Sequence, residues 1–282
     1  MFNQSIKIVT VWGIPIKLHA SLLLLVLYFV FAASVDSLDG LLLILALSSL
    51  LFASIAAHEL GHSYVAIRQG CRVREITLLF MGGAAQMEQM PTRPRDEILM
   101  DLAGPVVSLT LGLTAWTVLH AVPEATIDDA EGLSSLGFAL LYFIAFVNTM
   151  LGTFNLLPAF PMDGGRVLRA ALTPRLGRLQ ATFIASRLGR LLAIGLILAG
   201  FFGIPGLSMF NRRNPFPILI GLLVFSMAGQ EYRRVRLEEM LRQGRAVWPF
   251  PLSPPERETH DAEVIVGPPP YARRDETEDG SC

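Results

Sequence analysis

Residues 40–67 read GLLLILALSSLLFASIAAHELGHSYVAI, an apolar run between Asp39 and Arg68 interrupted by His58, Glu59 and His62. A helix rises about 1.5 Å per residue, so about 20 apolar residues cross the roughly 30 Å hydrocarbon layer of a bilayer. This run is long enough to do so. The rest of the chain has the same character: its 282 residues are 52% hydrophobic and only 17% charged, with a mean hydropathy of +0.50. That composition lies outside the range of ordinary soluble domains. The net charge of -1 provides no basic field for nucleic acid, which is excluded as a partner. Two cysteines, Cys71 and Cys282, supply neither a disulfide framework nor a thiolate metal site.

Dividing the chain at its charges predicts an all-α polytopic membrane protein with about six transmembrane helices. They lie between Lys17 and Asp36, Asp39 and Arg68, Asp101 and Glu124, Glu131 and Asp163, Arg190 and Arg212, and Arg213 and Glu231. Pro215 and Pro217 give the sixth a late or bent start. Arginines cluster after the second span (Arg68, Arg72, Arg74, Arg93, Arg95) and after the fourth (Arg166 to Arg190). By the positive-inside rule these loops and both termini are cytoplasmic, with Arg212 and Arg213 as an exception. No short apolar core with a cleavage site opens the chain, so the first span is read as a retained helix. Between spans two and three, ITLLFMGGAAQ at 76–86 reads either as a short re-entrant or β-hairpin segment or as an interfacial loop. A hairpin would offer an edge to an extended substrate. The organisation expected is an intramembrane domain over 1–235 and a Pro-rich cytoplasmic tail over 236–282, too polar to bury a core.

Residues 58–62 read His-Glu-Leu-Gly-His. On a helix the i, i+4 spacing places both imidazoles on one face, where they can share a zinc ion, one per chain, with Glu59 as general base. An ionisable group within a membrane span generally marks function, because insertion alone costs about 3 kcal/mol. Catalytic zinc takes a third protein ligand. Asp163 is the best candidate: it ends NLLPAFPMD at 155–163, where two prolines break the helix and Gly164 and Gly165 let the backbone turn. It also reaches the cytoplasmic side at the depth of the histidines. Glu88, Asp96, Glu97 and Asp101 compete for the role. Asn155, two turns earlier, suits either an oxyanion or substrate hydrogen bond or a helix-to-helix contact. His19, at the start of span one, His120, near the outer end of span three, and His260, in the tail, are left out of the site.

These residues resemble those of the site-2 protease family, intramembrane zinc metalloproteases, at HELGH and at NLLPAFPMDGGR. The likeness extends to Gly-Ile-Pro-Ile at 13–16, to Gly82-Gly83 and to Ala103-Gly104-Pro105. It implies His58, His62 and Asp163 as zinc ligands, Glu59 as the catalytic glutamate and Asn155 as an aid to the transition state. It further implies single-span membrane substrates, such as membrane-tethered transcriptional regulators, in the bilayer of a bacterium or archaeon. Neither an inserted PDZ domain nor the paired CBS module of larger members fits between the spans or in the tail. Three alternatives remain at this stage: a zinc transporter, a pseudoprotease that binds a client helix, and a hydrolase of soluble peptides held by a membrane anchor.

Overall fold

The computed structural model describes residues 5–33, 35–79, 82–87, 91, 93–122, 133–203 and 215–242. Strands β1 (Ser5–Val11) and β2 (Ile14–His19) precede a short helix α1 (Ser21–Ala32) and a long helix α2 (Leu38–Arg68). Strands β3 (Val73–Leu79) and β4 (Gly82–Met87) follow. The remainder is helical: α3 (Pro94–Ala121), α4 (Leu133–Asn155), α5 (Asp163–Leu176), α6 (Arg178–Phe202) and α7 (Pro215–Arg242). Ser37 caps α2, its Oγ accepting from the Gly40 amide at 3.2 Å, and Arg68 lies in the last turn, where a cation complements the helix dipole. Pro94 opens α3 with Asp96 and Glu97 in its first turn, which suits the opposite end of a helix. Gly177, at φ +79, makes the sharp turn that ends α5 and starts α6.

Four described helical segments are long and apolar enough to cross a membrane: Leu38–Arg68, Pro94–Ala121, Ser135–Asn155 and Arg178–Phe202. The fifth expected span begins earlier than its bounding charges suggested, since α6 carries Arg187 and Arg190 within it. Helix α1, at 12 residues, is shorter than a full crossing needs. Its start is cut back because Ile14–His19, at the foot of the first expected span, is a strand.

The all-α expectation therefore needs correction. A four-stranded sheet in the order β1-β2-β3-β4 is present, with β2 and β3 parallel and the outer pairs antiparallel. Its inner face buries Ile14, Ile16, Ile76 and Leu78 with Leu22, against Phe52, Ile55 and Ala56 of α2. Lys17 and Glu75 bridge β2 and β3 at 2.6 Å, and the ammonium holds the Glu75 carboxyl below the ordinary carboxylate range. Sequence alone hid β1 and β2 because each is short and their lysines look like membrane-flanking charge. The tail reading falls on residues 243–282, outside the described residues, apart from the end of α7.

Small residues let the helices approach closely, as is usual where lipid supplies no hydrophobic drive between helices. A Cβ at Gly61 of α2 would lie 2.9 Å from the Ala103 carbonyl oxygen of α3, and one at Gly112 of α3 would lie 2.8 Å from the Thr149 amide of α4. Leucines such as Leu24, Leu113 and Leu191 remain exposed on the outside, a surface suited to acyl chains. At one end of the bundle Arg169 of α5 is buried and donates to Glu97 of α3 at 2.6 Å and to Glu231 of α7 at 3.0 Å, tying three helices together.

Candidate metal centre

Helix α2 carries His58 and His62 on the face turned to α3, and both are buried. Their Nε2 atoms are 3.2 Å apart. Asp163, the first residue of α5, brings Oδ2 to 3.0 Å from Nε2 of His58 and 3.2 Å from Nε2 of His62. Around a tetrahedral zinc ion with bonds of 2.0–2.1 Å, neighbouring ligand atoms are about 3.3 Å apart. The triangle of Nε2, Nε2 and Oδ2 is close to one face of that tetrahedron. Two imidazole nitrogens and one carboxylate oxygen are also the donor types that zinc takes in sites that keep an open position. Among the described residues, these three form the group able to hold a metal ion.

The backs of both rings are tied to α3. His62 Nδ1 lies 2.7 Å from the Met100 carbonyl oxygen. A carbonyl can only accept, so Nδ1 carries the proton and Nε2 presents its lone pair. His58 Nδ1 lies 2.9 Å from Oγ of the fully buried Ser108, which accepts from Nδ1 when Nε2 is a ligand. Such outer contacts orient histidine ligands and raise their basicity. Gly104 lies between the two contacts. A Cβ there would lie 2.8 Å from Nε2 of His58 and 2.6 Å from Cε1 of His62, so α3 reaches the ligand atoms only because this position has no side chain.

Asp163 is delivered by the broken segment after α4. Phe160 and Ala159 are buried, the Phe160 amide donates to the Ala185 carbonyl of α6 at 3.2 Å, and Phe160-Pro161 is a cis peptide. A Cβ at Gly165 would meet the Ala159 carbonyl carbon at 2.5 Å, so the chain folds back on itself only with glycine there. Glu59 projects toward β4, where a Cβ at Gly83 would lie 2.8 Å from its carboxyl carbon. Asn155 ends α4 with Nδ2 donating to the Leu151 carbonyl at 2.9 Å.

Of the competing carboxylates, Glu97 is committed to Arg169 and Asp96 lies in the first turn of α3. Asp101 is buried beside the centre, with Oδ2 unbonded among the described residues, but outside the converging trio. Glu88 lies outside the described residues. Ser108, the Met100 carbonyl and Gly104 escaped the sequence reading. Of these only Gly104, within Ala103-Gly104-Pro105, is marked by the sequence, and there it has no stated part in the metal centre.

Residues 46–136 and 125–196 match the sequence model of peptidase family M50, a region that contains all three converging side chains and Glu59. The chain belongs to peptidase family M50. A zinc metalloprotease of Methanocaldococcus jannaschii is 37% identical over 244 residues, which are 86% of this chain and 65% of that relative. A Synechocystis relative is 33% identical over 248 residues, 85% of this chain and 62% of its own length. This M50 member thus spans less than two thirds of those curated relatives. The stage IV sporulation protein FB of Bacillus subtilis is 28% identical over 117 residues, 40% of this chain and 36% of its own. The solved structure of the site-2 protease from Methanocaldococcus jannaschii superposes with a TM-score of 0.59 at 38% identity, covering 81% of this chain and 95% of that one. The M50 member has the site-2 protease fold, with helices suited to membrane crossing. Zinc, the metal in the archaeal relative's name, fits its donor set.

Proposed function

We propose that this chain is an intramembrane zinc endopeptidase that hydrolyses peptide bonds within the membrane-spanning segments of single-span proteins, membrane-tethered transcriptional regulators among them. The observation that carries the reading is the convergence of His58, His62 and Asp163 within 4.8 Å, with Glu59 next to His58 on the same helix. Zinc held by these three residues supplies a Lewis acid that lowers the pKa of water towards about 7 and polarises the scissile carbonyl. Glu59 accepts the proton of the attacking water and passes it to the departing amine, so water and one peptide bond become a carboxylate and an amine. Asn155 has a second N–H beyond the one spent on Leu151, available to the oxyanion that forms at the carbonyl.

The four long apolar helices support a polytopic arrangement. In the proposed topology α7, with no charged residue before Glu231, is the fifth long span, and the stretch between Lys17 and Asp36, of which the 12-residue α1 alone is too short to cross, is the sixth. Both termini are cytoplasmic, and the intramembrane domain ends near residue 235. The C-terminal end of α2, the N-terminal ends of α3 and α6 and the C-terminal end of α4 gather at the metal centre, which agrees with the arginine-rich loops sharing one side.

The test is zinc per chain in detergent-solubilised protein together with cleavage of a single-span substrate. Wild type is expected to hold one zinc and cleave. His58→Ala and Asp163→Ala are expected to lose both properties, and Glu59→Gln to keep zinc and lose cleavage. Normal cleavage by Glu59→Gln rules out the mechanism. Full zinc retention in Asp163→Ala moves the third ligand elsewhere.

A further inference from the structure

Two arginines one turn apart on α5 are treated very differently. Arg169 gives its guanidinium to Glu97 and Glu231. Arg166 is half-buried and makes no hydrogen bond among the described residues, although a guanidinium carries five N–H donors. Its neighbours act on it through the field: burial disfavours the charge, and Asp101, Asp163, Glu231 and Glu59 more than offset that. A cation in this setting keeps its charge and still has donors to satisfy. N–H donors that lack a protein partner and reach a cavity are open to an arriving acceptor.

Arg166 lines a cavity of about 420 Å³ together with Phe160, Pro161, Met227, Gln230, Glu231 and Arg234. Asp163 and Arg166 are i and i+3 at the start of α5, so their side chains are neighbours on one face. The cavity lies against Phe160 and Pro161 of the broken segment that leads to Asp163, and Arg166 in its wall feels the charges of Asp163 and Glu59, which places it near the metal centre. Phe160, Pro161 and Met227 give it apolar walls, while Arg166, Gln230 and Arg234 supply donors. Asp101 and Glu231 act on Arg166 and Glu238 accepts from Arg234 at 3.2 Å, so both guanidinium groups have a carboxylate counterpart, an anionic ligand has little to gain there and a neutral acceptor fits better.

We propose that this cavity is a substrate subsite in which Arg166 donates to a main-chain carbonyl of an unwound peptide next to the scissile bond. The assignment rests on the endopeptidase reading and names what that site recognises. Carbonyls within a helix are already bonded to amides four residues on, whereas those of an unwound segment in a membrane lack partners. A guanidinium at this position thus selects for unwinding rather than for a particular side chain, and it gives the opened substrate one of the acceptor contacts it has lost.

The experiment uses the full chain with Glu59→Gln, which traps substrate uncut, in lipid nanodiscs with a fluorescent single-span peptide as the probe. Adding Arg166→Met is expected to weaken peptide binding about 10- to 100-fold, the range of a hydrogen bond to a charged donor. Zinc per chain should stay the same, and Arg166→Lys should recover part of the binding. Unchanged binding in Arg166→Met overturns the assignment. So does a parallel loss of zinc, which would make Arg166 a support for Asp163. A Glu59→Gln parent that holds zinc yet binds no peptide overturns the endopeptidase reading itself, an outcome distinct from equal binding by parent and variant.

Discussion

Replacing Gly104 with alanine adds one methyl group and is expected to abolish the metal centre's function. The added Cβ would meet Nε2 of His62 most closely and lie 2.6 Å from Cε1 of His62 and 2.8 Å from Nε2 of His58, at least about 0.7 Å inside an ordinary non-bonded contact of roughly 3.5 Å. Neither ring has an easy escape. Each is anchored through Nδ1 to α3, at Ser108 and at the Met100 carbonyl, and Gly104 belongs to that same helix. Moving α3 away from α2 relieves the clash but takes both anchors with it. Swinging the rings aside breaks the anchors and misdirects the Nε2 lone pairs. A displacement of about 1 Å at a catalytic group costs on the order of 100-fold in rate, and lost outer contacts cost about 10- to 100-fold in metal affinity. Zinc affinity measured by chelator competition should therefore fall at least tenfold in Gly104→Ala, with cleavage down at least 100-fold. The control is Gly137→Ala on α4, where an added Cβ meets nothing within 4 Å. It should leave both quantities unchanged and stabilise the helix by up to about 1 kcal/mol. Zinc affinity in Gly104→Ala within twofold of wild type would refute the reasoning.

Three further substitutions divide the site into parts. Gly83→Ala places a methyl group against the Glu59 side chain without touching the ligands, so zinc content should hold while kcat drops at least tenfold; loss of zinc would show that β4 supports the ligands instead. Ser108→Ala removes the acceptor for His58 Nδ1 and should weaken zinc binding about 10- to 100-fold, with Ser108→Thr restoring most of it; unaltered affinity in Ser108→Ala would show that packing alone sets the ring. Arg169→Met leaves Glu97 and Glu231 without their shared partner and should destabilise the protein by about 3 kcal/mol, read as a lower denaturation midpoint, whereas an unshifted midpoint would show that water satisfies both carboxylates.

The membrane class and half of the centre could be read locally. Long apolar runs are visible in any window of about 20 residues, and His58 and His62 share a face because a helix repeats every 3.6 residues, whatever surrounds it. The proline and glycine breaks around Asp163 marked a place where a helix could not continue, and charge asymmetry put that place on the side of the histidines. Strands β1 and β2 were not legible, because six or seven residues with a lysine among them carry no periodic signal strong enough to compete with a neighbouring apolar run. The pairing of β2 with β3 joins residues more than fifty positions apart.

Composition and helical spacing determined that the chain carries several helices apolar enough to cross a membrane and that two imidazoles face one way. Tertiary structure alone decided the distances that make a metal centre: Asp163, 105 residues from His58, arriving at 3.0 Å, each Nδ1 tied to α3, and Gly104 leaving room for the rings. Those features depend on how closely helices pack, which is set by side-chain volumes meeting across the bundle, and no pattern along a single helix encodes a contact with another.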